Sequence, residues 1–221
     1  MSKTSPDPAA HNTLAKPQTL TPHGQAQRAA LVDAAYHLIA GGGFEHLRTR
    51  DVAARAGVNI ATLHYYFATK EDLIRAVVDR MREEFKTIHA PGLDEPNRTP
   101  LDSLRHELLD MRYHIERMPQ TYYVLFEFGL RALRDPIIHA IMQEMDYGWR
   151  AYIESVLVEG VRRGTFRAEM DTQVVASALV AFFKGASLQM LTKRDTFDVD
   201  RVLKELEGGL LAGSTTSQSH D

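Results

Sequence analysis

From about residue 24 to residue 212, apolar residues return at intervals of three and four, and no stretch alternates convincingly in the manner of a half-buried strand. The first predicted helix, about Gln25 to Ala40, carries Leu31, Ala34, Ala35, Leu38 and Ile39 on one stripe and ends at Gly41-Gly42-Gly43. Thr49, with a hydroxyl able to cap free amides, opens a second helix that stops at Gly57. Asn59 caps a short third helix, about Ile60 to Tyr66, and Thr69-Lys70-Glu71-Asp72 approximates a capping box for a fourth with Leu73, Val77, Met81, Phe85 and Ile88. After Pro91-Gly92, Thr99-Pro100 opens a fifth helix with Leu101, Leu104, Leu108, Met111 and Ile115. The sixth, about Gln120 to Leu133, is apolar on most sides and is expected to be enclosed by others. Asp135-Pro136 starts a long seventh helix to about Arg163, Asp171 an eighth to about Thr192, and Asp198 a ninth to about Leu211. The pattern predicts an all-α fold: a small N-terminal helix-turn-helix unit, the fourth helix as a bridge, and a larger C-terminal helical bundle.

Composition narrows the class. With 44% hydrophobic and 25% charged residues in 221, the chain reads as globular. The first 23 residues carry Pro6, Pro8, Pro17 and Pro22 without apolar periodicity and read as a disordered arm; residues 213–221 read as a flexible tail. The division expected is therefore 1–23 arm, 24–70 helix-turn-helix, 71–212 bundle and 213–221 tail. No apolar run of the roughly 18 residues that a membrane span needs is apparent, and the N-terminus does not read as a signal peptide, so a cytoplasmic location with no membrane partner is expected. The absence of cysteine excludes disulfides and thiolate catalysis. The net charge of −3 divides into +2 for residues 1–90 and −5 for the rest, a weak basic bias toward the front.

The stretch from Thr49 to Phe67 carries the chemistry. Two helices crossing steeply through a tight turn need a small residue at the contact, a glycine at the turn and apolar residues around it; Ala53, Gly57, Val52, Val58 and Leu63 meet these needs. With those residues inward, Ile60, Ala61, Thr62, His64 and Tyr65 remain outward on a helix whose N-terminus can enter a major groove.

Leu47-Arg48-Thr49-Arg50-Asp51-Val52-Ala53, Ala56-Gly57-Val58-Asn59, Thr62-Leu63-His64-Tyr65-Tyr66-Phe67 and Thr69-Lys70-Glu71-Asp72-Leu73 together closely resemble the DNA-binding domain of the TetR family of regulators. The resemblance is dense over about residues 25 to 75. Val124 to Pro136 and Gly160 to Asp171 look more loosely like the family's later helices. The resemblance implies a ligand-released repressor that binds double-stranded operator DNA, with no cofactor, as a homodimer through its last two helices. It puts Thr49 and Arg50 at a phosphate-facing helix start and Asn59, Ile60, Ala61, Thr62, His64 and Tyr65 on the recognition helix. Lys70 resembles a lysine that binds the DNA backbone, and His64 stands where the family commonly has tyrosine.

Other chemistry has less support in the sequence. Ten histidines include no pair three or four apart, so the usual helical zinc spacing is missing, and neither a phosphate loop nor a nucleophile elbow occurs. Glu127, inside the apolar sixth helix, reads either as the ion-pair partner of Arg131 or as a partly buried carboxylate facing a cationic or hydrogen-bonding ligand. Met111, Tyr123, Phe126, Trp149, Tyr152 and Phe182 are the remaining candidates to line a pocket for a small, mostly apolar effector. Small residues of the eighth helix (Ala178, Ala181, Gly185, Ala186) and Val202, Leu203, Leu206 and Leu210 of the ninth suit either intrachain packing or the close helix approach of a dimer. Two other functions stay open: an architectural or nucleoid-associated DNA binder without an effector, and a helical enzyme.

Overall fold

The computed structural model describes residues 20–91, 98–192 and 197–211. Within them lie α1 (Pro22–Gly42), a 3-10 turn (Phe44–His46), α2 (Thr49–Arg55), α3 (Ile60–Tyr66), α4 (Lys70–Thr87), α5 (Pro100–Arg117), α6 (Pro119–Ala132), α7 (Pro136–Arg162), α8 (Thr172–Thr192) and α9 (Val199–Leu210). No strand is formed among the described residues; a single antiparallel bridge joins Phe166 to Leu211. The tail and most of the arm expected from the sequence lie outside the described residues.

Local chemistry sets most helix starts. Asn59 Oδ1 accepts from Thr62 N at 2.8 Å, and Thr69 with Asp72 closes both halves of a capping box at 3.1 and 2.9 Å. Thr99 and Asp135 cap α5 and α7 in the same way, with Pro100 and Pro136 at helix starts where the missing amide costs nothing. Two expectations about starts need correction. Pro22 and His23, expected in the arm, belong to α1, because Thr21 Oγ1 accepts from Gly24 N and begins the helix earlier. Thr49 does not cap α2: Arg48 is the extended residue before the helix, which places Thr49 already inside the first turn.

Buried side chains form two clusters. One joins Leu31, Ala35 and Ile39 of α1 to Val52, Leu63, Leu73, Val77 and Met81, and continues without a break into Val124 and Phe128 of α6 and Ile138 and Ile141 of α7. The other is the bundle core, including Leu104, Leu108, Ile153, Leu157, Leu179 and Phe183. Phe85 of α4 and Leu125 of α6 pack against both, so α4 bridges the two clusters. The small unit therefore shares its core with the bundle.

Two further expectations fail. The sixth helix is not enclosed: Leu130 is 64% and Tyr123 45% exposed, since α1 and α7 cover only part of it. The eighth is, by length and composition alone, apolar enough to cross a membrane, with one charged residue in 21; the small and hydroxyl residues scattered through it hide that character in the sequence. It packs here against α5 and α7, and its Lys184 reaches Asp146 of α7 at 2.5 Å.

Candidate nucleic-acid interface

The α2–α3 corner follows from three residues. Val52 and Ala53 of α2 and Leu63 of α3 are buried, and the small Ala53 side chain lets the two helices approach. Between them Gly57 takes φ +68, a conformation that favours glycine, while Val58 N donates to Ala53 O at 3.0 Å and closes the turn. Burying that side of α3 turns the opposite side to solvent. Ile60, Ala61, His64 and Tyr65 are exposed, Thr62 is half-buried, and Tyr65 stands 67% free beside the edge of Tyr66. Thr49 is half-buried at the start of α2 and Arg50 exposed next to it.

The polar groups on this face are partly organised. Asn59 Oδ1 accepts from both the amide and the hydroxyl of Thr62, at 2.8 and 3.0 Å, which leaves the Asn59 amide nitrogen and the Thr62 lone pairs for a partner. Tyr66 does not face outward in the same way: its hydroxyl donates to Gln27 Oε1 at 3.0 Å and ties α3 to α1. Lys70 is exposed, yet its Nζ lies 4.9 Å from the centre of the Phe44 ring, with Arg131 of α6 on the same ring at 5.1 Å. Partial burial, followed by the nearby Arg131 charge, lowers the Lys70 pKa.

Two exposed cations escaped the sequence reading: Arg48 before α2, and Arg28 of α1, which lies 5.0 Å over Phe67. The signal available for Arg48 was its place beside the phosphate-facing Thr49. Arg28 had no sequence signal, because its nearness to α3 depends on how α1 crosses it.

A polar clasp joins this head to the bundle. Tyr36 of α1 donates to Thr121 Oγ1 of α6 at 2.9 Å, and Thr121 in turn donates to Glu84 Oε2 of α4 at 3.0 Å. Arg80 of α4 pairs with Glu84 at 2.9 Å and with Asp33 of α1 at 2.6 Å, its guanidinium 3.8 Å over the Tyr36 ring. Burial, the largest influence, raises the Tyr36 pKa, which keeps the phenol a donor.

The candidate pocket residues separate into two places. Tyr123, Phe126 and Glu127 line a groove of about 370 Å³ between the end of α1, α6 and α8. The ion pair expected between Glu127 and Arg131 is not formed. Glu127 Oε2 accepts from Phe44 N at 3.1 Å instead, and Arg131 turns to Asp135 and Glu45 at 3.5 and 3.8 Å. Met111 is buried in the bundle core, where Trp149 stacks near Phe183 and donates to Glu107 Oε2 at 2.9 Å; Phe182 packs at the edge of that core. Tyr152 is 42% exposed, and burial leads the causes that raise its pKa, followed by the Glu107 charge. Glu107 itself was missed, because a carboxylate that follows Arg105 and His106 on α5 looks solvated in sequence. Its pKa is raised by burial, against the opposing Trp149 hydrogen bond.

Comparison with known proteins agrees with this arrangement. Residues 31–77 match the family model for bacterial regulatory proteins of the tetR family, and residues 100–210, half of the chain, match that for the C-terminal part of BetI-type transcriptional repressors. The chain is 33% identical over 93 residues to the transcriptional repressor KstR of Rhodococcus jostii (strain RHA1), a match that spans 42% of each protein. It is 24% identical over 165 residues to the nicotine-responsive transcriptional repressor HdnoR of Paenarthrobacter nicotinovorans, covering 74% of this chain and 82% of that one. A crystal structure of a TetR-family regulator from a Rhodococcus species superposes with a TM-score of 0.70 at 22% identity, over 83% of this chain and 96% of that chain. These likenesses lend nothing to the architectural or enzymatic alternatives. A helix-turn-helix head on a helical bundle, matched at both ends by models of one kind, means that the chain belongs to the TetR family and is a DNA-binding transcriptional regulator, not an enzyme.

Proposed function

We propose that the protein is a repressor that holds a near-palindromic operator as a two-fold dimer and releases it when a small, mostly apolar molecule enters the bundle. The observation that carries this reading is the shared core: the cluster under α3 runs into α6 and α7, so a rearrangement of the bundle moves the reading head. Residues 24–70 act as the head and 71–212 as the effector and dimer unit, at work in the cytoplasm. On DNA, Arg50 and Thr49 meet phosphate at the start of α2, and Lys70 does so at the start of α4. Asn59, Ile60, Ala61, Thr62, His64 and Tyr65 present α3 to base edges.

Dimerisation through α8 and α9 is supported by a stripe of Val174, Ala178, Ala181, Gly185 and Leu188, all exposed at three- and four-residue intervals. Gly185 has nothing within 4 Å of where a Cβ would stand, which leaves room for close approach by a second helix. Val202 of α9 is exposed too, whereas Ala186, expected among the contact residues, faces the protomer's own core at 2% exposure. One short recognition helix reads few bases, so two heads are needed, with half-site centres about 34 to 36 Å apart or at a larger spacing the dimer allows. The names of the similar repressors, one of them nicotine-responsive, support both repression and an effector.

Reciprocal titration tests the reading. An effector found by thermal-shift screening should weaken operator binding about 5- to 150-fold, equivalent to about 1 to 3 kcal/mol, and saturating operator should weaken the effector by the same factor. An effector affinity unmoved by operator would refute release by ligand.

A further inference from the structure

The groove of about 370 Å³ beside the end of α1 is walled by two aromatic rings, Tyr123 and Phe126, two leucines, Leu188 and Leu191, and the Glu127 carboxylate. Among the described residues, no lysine, arginine or histidine lines it. Its floor is the last turn of α1, Ile39 to Gly42, and Gly43 after it. The final carbonyls of a helix have no intrahelical donors and carry roughly half a negative charge between them. Here Ile39 O is served by Gly43 N at 2.8 Å and Gly42 O by the His46 ring. The Phe44 amide, which a longer helix would offer to Ala40 O, goes to Glu127.

Among the described residues, Glu127 is an acid without a cation. It makes no ion pair among the described residues, and the Phe44 amide is its sole hydrogen-bond donor there. Both its oxygens lie against Gly43, where a Cβ would come within 3.1 to 3.3 Å of them; with φ at +75, that position suits glycine in any case. The glycine lets the carboxylate sit against the end of the helix. Two sources of negative potential thus converge on one apolar and aromatic groove.

We infer that this groove binds a compact organic cation, an ammonium group carrying apolar or aromatic substituents, with Glu127 and the α1 carbonyls facing the charge and Tyr123 and Phe126 facing its substituents. An anion would meet like charge. A hard metal ion seeks six or more oxygen ligands, and a wall of leucines and rings does not provide them. Aromatic faces, by contrast, attract ammonium groups, and a volume of this size suits a small ligand. The site lies where the head meets the bundle and borders Leu188 on the exposed stripe of α8. A cation there fixes the end of α1 against α6, and its effect on DNA rests on the reading of the protein as a ligand-released repressor.

The test uses benzyltrimethylammonium and its uncharged isostere neopentylbenzene as probes, with binding measured by calorimetry on the full chain. Glu127→Gln keeps an acceptor for the Phe44 amide, so it should fold; it should weaken the cation at least about tenfold and leave the hydrocarbon unchanged. Should Glu127→Gln melt early, Thr192→Arg, which adds a cation at the groove's exposed rim, should give the same selective loss. Equal cation affinity in wild type and a folded variant overturns the site, as does no binding at all. A loss in Glu107→Gln with none in Glu127→Gln puts the cation in the bundle core and overturns it as well. Binding at Glu127 that leaves operator affinity unchanged upholds the site and refutes its role in release. Release by some other effector without cation binding does the reverse.

Discussion

Thr121→Val is the sharpest probe of how the head is joined to the bundle. Valine matches threonine in shape but removes a hydroxyl that is fully buried between Tyr36 and Glu84. The neutral bond from Tyr36 is worth about 0.5 to 1.5 kcal/mol and the bond to the Glu84 carboxylate about 1.5 to 3 kcal/mol, so the loss should come to about 2 to 4.5 kcal/mol. For a chain of this size that is a fall in Tm of roughly 4 to 18 °C. Urea denaturation followed by circular dichroism measures it. Thr121→Ser, which keeps the hydroxyl, should recover most of the loss. Tyr36→Phe should cost only about 1 kcal/mol, because Thr121 still donates to Glu84. The cycle of Tyr36→Phe and Thr121→Val should be non-additive by at least about 0.5 kcal/mol, since one bond is removed in both. A Thr121→Val variant within about 0.5 kcal/mol of wild type would refute the claim that this clasp holds α1, α4 and α6 together.

Lys70→Ala should weaken all DNA sequences nearly alike and reduce the salt slope by about 1; an unchanged slope removes Lys70 from the phosphate contacts. Gly185→Trp should leave a folded protomer, because nothing in the protomer occupies that space, yet abolish the dimer in sedimentation and with it operator binding; an intact dimer takes Gly185 out of the interface. Asn59→Ala should cost about 1 kcal/mol through the lost cap and alter base preference as well; unchanged stability and preference would refute both roles. Because the Glu107 pKa is raised on folding, the native state holds a proton that the unfolded chain has already released, and stability should fall as pH rises from the ordinary glutamate range through the raised value. Glu107→Gln, which still accepts from Trp149, should flatten that slope and raise Tm at neutral pH; a melting temperature with the same pH dependence as wild type would refute the assignment.

How much of this could be read beforehand depended on the range of the interactions. Asn59, Thr69, Thr99 and Asp135 cap helices through atoms two or three residues away, and the sequence displays such pairs directly. The α2–α3 corner was legible for the same reason. Of the two readings of Glu127, the pairing with Arg131 failed because spacing along a helix does not reveal a competing amide from another element, here Phe44 after α1. Glu107 and Arg28 depend wholly on such crossings, between α5 and α7 and between α1 and α3. The exposure of α6 was hidden too, since an apolar segment looks the same whether its own chain covers it or leaves it open.

Sequence-specific DNA binding by a two-fold dimer is the property on which every role proposed for α3, α8 and α9 depends. Its most direct test selects a duplex from genomic DNA, then titrates the protein against that duplex and a scrambled one at physiological salt. A preference of about a thousandfold or more, saturating at one dimer or an even number of protomers per site, is the predicted result. Equal affinity for the two duplexes, or saturation by a single protomer, would contradict it.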